Sequence, residues 1–158
     1  MGDAISSESY TPRQRTTYRR RLEDELERFD RHLQGAEFVD HGTIGLELEL
    51  NLVDDAMRPH PNNQAVLALL DDEYQSEIGA YNVEMNHPPL SIAGDGLARL
   101  AEGVAERLAI VRNAAEKAGS HLAMVGTLPT MSSQFLDSDE WMTRENRYAG
   151  LNNSILES

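Results

Sequence analysis

The chain reads as an α+β domain, a largely antiparallel sheet with helices packed on one face, on three observations. Two stretches, Thr43 to Val53 (TIGLELELNLV) and Ile78 to His87 (IGAYNVEMNH), alternate apolar and polar residues with the period of a strand. Two others, opening at Thr11 and Asp95, repeat apolar residues at spacings of three and four, the period of a helix. Both strands keep a polar face, whereas strands of a parallel sheet are usually buried on both sides.

Residues 1–10 are polar and are expected to be a disordered N-terminus, with residues 11–158 belonging to one domain. Thr11 and Pro12 supply an N-cap and first helical position, and Tyr18, Leu22, Leu26, Phe29 and Leu33 form a stripe that ends near Gly35. Arg13, Arg15, Arg19, Arg20 and Arg21 precede Glu23, Asp24, Glu25 and Glu27. Cations at the positive end of the helix dipole oppose it, so this helix is expected to depend on packing of its stripe. The arginines themselves read as a solvated face rather than a phosphate site. In the first strand, Ile44, Leu46, Leu48, Leu50 and Leu52 share one face, and Glu47 and Glu49 stand on the other, roughly 6 to 7 Å apart.

Asp54 to Pro61 is turn material, after which Asn62 or Asn63 caps a short helix through Leu70. In the second strand Tyr81, Val83 and Met85 oppose Asn82, Glu84 and Asn86, and Pro88 and Pro89 are expected to end it. Asp95 caps a long helix with the stripe Leu97, Leu100, Ala101, Val104, Leu108, Val111 and Ala115, closed by Gly119. A third strand is expected from His121 to Thr127, a loop from Thr130 to Trp141, and a helix from Arg144 to Leu156.

The 158 residues suffice for one domain with a real core, and 40% hydrophobic with 26% charged residues is an ordinary soluble composition. With no cysteine, disulfides, thiolate metal sites and a cysteine nucleophile are excluded. A formal charge of -13 argues against nucleic acid and anionic membrane as partners and is compatible with recruiting cations. No apolar run is long enough to span a bilayer and no secretory signal is evident, so the expected location is the cytoplasm.

If the two acid-bearing strands are neighbours, Glu47, Glu49 and Glu84 converge on one sheet surface beside Asn51, Asn82 and Asn86. Carboxylates and neutral amides without thiolates suit Mg²⁺ or Mn²⁺, which keep waters and take substrate phosphates as further ligands. The plainer alternative is a water-facing surface of an acidic protein. His87 and His121 lie at strand ends and stay outside the candidate site.

The segment GLELE at Gly45 to Glu49 resembles the opening signature of the glutamate–cysteine ligase type 2 family, within the glutamine synthetase-like carboxylate–amine ligases. YNVEMNHPP (Tyr81 to Pro89), VGTLPT (Val125 to Thr130) and MTRENRYAGLN (Met142 to Asn152) follow in the family's order. The resemblance implies part of a curved antiparallel sheet whose glutamates, here Glu47, Glu49 and Glu84, hold Mg²⁺ or Mn²⁺. It implies an ATP-dependent reaction in which the γ-carboxylate of glutamate is phosphorylated and an amine such as cysteine displaces phosphate, as in glutathione biosynthesis. No protein nucleophile is needed, so no catalytic residue is assigned.

Asn86 would be a neighbouring ligand or substrate contact. Thr127 could present its hydroxyl to the pocket or satisfy a turn, and Arg147 could grip a carboxylate or phosphate or pair with Glu145 or Asp139. Tyr148 reads as core. Two departures matter: relatives often have histidine at the position of Leu128, and a further acid at that of Leu48. Family members are much longer, so the chain is expected to supply the N-terminal part of the enzyme and no turnover by itself. A competing expectation is a non-enzymatic module that binds through its open sheet edge, and the sequence leaves homo-oligomerisation open.

Overall fold

A computed structural model describes residues 5–36 and 42–156. The expectation of disorder over residues 1–4 lies outside them. The chain divides into two compact units, one of residues 41–144 and one of residues 1–40 with 145–158.

The larger unit is built on a four-stranded antiparallel sheet. Its strands are β1 (Thr43–Val53), β2 (Tyr74–Ser76), β3 (Asn82–Ser91) and β4 (His121–Ala123), in the order β2-β3-β1-β4. The aliphatic face of β1 behaves as its alternation requires. Leu50 and Leu52 are fully buried with Val83 and Met85 of β3, and Leu48 packs against the same cluster. Counting helices along the whole chain, α2 (Asn63–Leu67) and α3 (Gly96–Lys117) cover this face through Val66, Val111, Ala114 and Ala115. The expected α+β arrangement, helices on one face of an antiparallel sheet, is therefore present.

Several boundaries differ from expectation. Strand β3 does not end at Pro88 and Pro89 but runs on to Ser91. Its pairing with β1 slips at those residues, from Leu46 opposite His87 to Ile44 opposite Leu90. Such a bulge tolerates residues without an N–H, and β2 pairs β3 only from Val83 to Met85, so neither proline interrupts a ladder on that side. The third strand stops at Ala123, and residues beyond it form a loop. Strand β2 was not anticipated, being only three residues long. Helix α2 ends at Leu67, and the expected loop contains a one-turn helix α4 (Ser133–Leu136).

Asp95 sits at the N-cap of α3, yet its side chain makes no capping bond and pairs with Arg99 at 3.1 Å instead. Leu97 and Ala101 stay exposed, so the buried stripe begins further along the helix. Gly119 does follow the helix with φ +78, the left-handed turn that glycine adopts without penalty.

The smaller unit contains α1 (Pro12–Gly35) and α5 (Asn146–Leu156). The N-terminus of α1 is a capping box: Gln14 N–H donates to Thr11 Oγ1, and Thr11 N–H donates to Gln14 Oε1 at 2.8 Å. The expected packing of its stripe is not found, since no residue of α1 is buried. Local bonds sustain it, such as Arg28 to Glu25 at 2.9 Å and Gln34 to Asp30 at 2.8 Å. In α5, Tyr148 is buried as expected, and the Asn146 amide donates to the Ile5 carbonyl at 3.0 Å.

Candidate functional site

The antiparallel pairing of β1 with β3 makes neighbours of the two acid-bearing strands. Glu49 stands directly opposite Glu84, Glu47 opposite Asn86, and Asn51 opposite Asn82, all on the face turned away from Leu50 and Val83. Gln75 of β2 extends the row beyond Glu84. Like charges directly opposite each other destabilise a sheet. Glu84 is also only 5% exposed, so its carboxylate has little water to relieve that repulsion.

Amides bracket the acids. Asn86 Nδ2 donates to Glu84 Oε1 at 2.8 Å. Asn82 Nδ2 donates to Asn51 Oδ1 at 3.1 Å, and Asn51 Nδ2 donates to the Val125 carbonyl at 3.0 Å. The last bond fixes the loop after β4 against the sheet. That loop brings Thr127 to the rim of a cavity of 290 Å³ whose other walls include Glu49, Asn51, Tyr81 and Asn82. Glu47 and Asn86 line a separate cleft of 790 Å³ with Asp72, Glu73 and His87. Leu128 is buried against Val53 and Ala123, so the position where relatives often carry histidine is a packing site in this chain.

A fourth carboxylate, Glu77, was missed by the sequence reading. Burial, a hydrogen bond with Glu84 and the charges of Glu84 and Glu49 push its carboxyl up to about 7. Its backbone is held by buried polar groups: Thr143 Oγ1 donates to the Glu77 carbonyl, and Asn63 Nδ2 donates to Thr143 Oγ1 at 2.8 Å. Thr143 N–H donates to Ile78 O at 2.8 Å and Ala80 N–H to Trp141 O at 2.7 Å. The segment from Trp141 to Thr143 thereby clamps the chain between Glu77 and Ala80. The signal for Glu77 in the sequence was slight, an acid abutting an apolar run.

Arg147 lies in the smaller unit. There its guanidinium is 3.4 Å from Glu145 Oε2, bonds the Tyr148 hydroxyl and stacks 4.3 Å from the Tyr148 ring centre. His87 is a structural residue, with Nδ1 2.8 Å from the Pro88 carbonyl oxygen and the ring packed on Gly103. His121 forms an exposed pair with Asp55 at 2.8 Å.

Among the described residues, no three His, Cys, Asp or Glu side chains are gathered tightly enough to hold an ion by themselves. The donor set nonetheless fits a hard divalent cation that keeps water and phosphate in its shell, because Mg²⁺ commonly takes only one or two carboxylates from the protein. Glu49 and Glu84, with Glu77 beside them, are the groups whose mutual repulsion such an ion would relieve.

An acid-faced antiparallel sheet backed by helices accords with what sequence comparison shows. The sequence model of glutamate-cysteine ligase family 2 matches residues 43–157, and the chain belongs to that family. No curated protein and no solved structure matches it. The family is one of carboxylate–amine ligases. Among the described residues, no helix is long and apolar enough to cross a membrane.

Proposed function

We propose that the chain is part of an ATP- and Mg²⁺-dependent ligase that joins the γ-carboxylate of glutamate to an amine such as cysteine through an acyl phosphate. The observation that carries this reading is the placement of Glu49 directly across from Glu84, with Glu77 against them and amides on either side. Mg²⁺ or Mn²⁺ bound there would neutralise charge on the transferring phosphoryl group. Glu49 and Glu84 are the proposed metal-holding pair, with Glu77 against them, and Glu47 would meet substrate or a second ion from the neighbouring cleft. Asn86 orients Glu84 through its 2.8 Å bond and faces substrate from the same strand. Thr127 offers a hydroxyl to the Glu49 cavity that it lines. The reaction belongs to the cytoplasm, where ATP and glutamate are supplied.

Titration with Mn²⁺, followed by calorimetry or by the electron spin signal of free ion, tests the site. Binding is expected in the unaltered chain and is lost in the double variant Glu49→Gln, Glu84→Gln. Affinity unchanged by that pair of substitutions would remove the shared site and with it the ligase reading.

A further inference from the structure

Tyr81 lies one residue before β3 begins, so the alternation that buries Val83 and Met85 does not hold it to the core face. Its carbonyl accepts from Leu52 N–H at 2.7 Å, and its ring meets Phe135 of α4 edge to face, with 5.6 Å between centres and 72° between planes. A Cβ on Gly79 would lie 2.9 Å from Tyr81 Cε1, so a glycine there leaves the ring its place. Backbone, Phe135 and Gly79 thus fix a half-buried ring in the wall of the 290 Å³ cavity that Glu49 and Thr127 also line.

Among the described residues, none accepts a hydrogen bond from the Tyr81 hydroxyl. Burial and the charge of Glu49 both push its pKa above the ordinary value, so it stays an O–H donor. A donor held in place without an acceptor is what a site presents to an incoming oxygen. We propose that Tyr81 is a specificity-determining residue of the Glu49 site, its hydroxyl donating to an anionic oxygen of a small carboxylate bound in the cavity.

Size and walls select this occupant. Ligand pockets run from about 300 to 1,000 Å³, so a cavity of 290 Å³ suits a molecule of amino-acid size better than a nucleotide. The amides of Asn51 and Asn82 bond each other and the Val125 carbonyl, whereas the hydroxyls of Tyr81 and Thr127 bond no described residue. Glu49 would repel a bare carboxylate, so this inference rests on the cation proposed beside Glu49 and Glu84.

The test uses the whole chain loaded with Mn²⁺ and L-glutamate as the probe, followed by calorimetry. Tyr81→Phe removes the hydroxyl and keeps the ring on Phe135. It should weaken glutamate by about tenfold to a hundredfold, the range for a hydrogen bond to a charged group, and leave Mn²⁺ affinity and the urea midpoint where they were. Phe135→Ala frees the ring. It should weaken glutamate in the unaltered background but add little to Tyr81→Phe, since both changes act through one hydroxyl.

A Mn²⁺-loaded chain that takes up no glutamate, or takes it up equally with Tyr81→Phe, overturns the role of Tyr81 and leaves the cation site standing. So does an effect of Tyr81→Phe confined to ATP. A chain that binds no Mn²⁺ removes the ligase reading itself, and this inference with it.

Discussion

At the scale of single residues, the acid face carries its own strain, and Glu77 makes it measurable. Its carboxyl holds a proton more tightly in the folded chain, at about 7, than at the ordinary value of 4.5. The stability that this proton contributes is fully present below about pH 4.5 and is lost as pH rises through 7. For the metal-free protein, urea midpoints should fall between mildly acidic and mildly alkaline pH, and Glu77→Gln should flatten that fall. An identical slope in the variant would mean that Glu77 does not titrate there. Thr143→Val removes the hydroxyl that joins the Asn63 amide to the Glu77 carbonyl and should cost about 1 to 3 kcal/mol in chemical denaturation. Glu47, Glu49 and Glu84 were legible in the sequence because each sits in a period-2 run that assigns it a face. Glu77 and Thr143 were not, since residues 66 apart in sequence meet only through tertiary structure.

Individual elements show the same division between local and distant causes. The Thr11 N-cap of α1 and the glycine after α3 are encoded within a few residues and were foreseen, whereas the answering bond from Gln14 was not. The passage of β3 through Pro88 and Pro89 depends on the bulge against β1 and on where β2 stops, neither of which a local pattern reveals. Helix α3 offers a test of packing against propensity. A Cβ on Gly103 would lie 2.3 Å from His87 Nε2, and His87 is buried and tied to the Pro88 carbonyl. Alanine is the better helix former by about 1 kcal/mol, yet Gly103→Ala should destabilise the protein by about 1 to 3 kcal/mol. Adding His87→Ala should recover part of that loss, and a stabilised single variant would show that the ring moves freely aside.

For the molecule as a whole, the proposed cation site links folding to ion supply. Bound ion stabilises the native state by an amount that grows with the logarithm of its concentration, about 2.7 kcal/mol at a hundredfold excess over Kd. Mn²⁺ should therefore raise the melting temperature of the unaltered chain and leave that of Glu49→Gln, Glu84→Gln unmoved. Without ion the order should reverse, with the double variant melting higher because its opposed charges are gone. An equal response of both proteins to Mn²⁺ would place the ion elsewhere. The paired prolines of β3 have a wider consequence. Neither has an amide hydrogen, so the stretch of β3 beyond β2 is a poor template for another strand. The opposite border, at β4, runs into exposed Met124 and Val125. Growth of this sheet thus has a bias: the proline-bearing end of one margin resists an added strand, and the margin at β4 carries no such block.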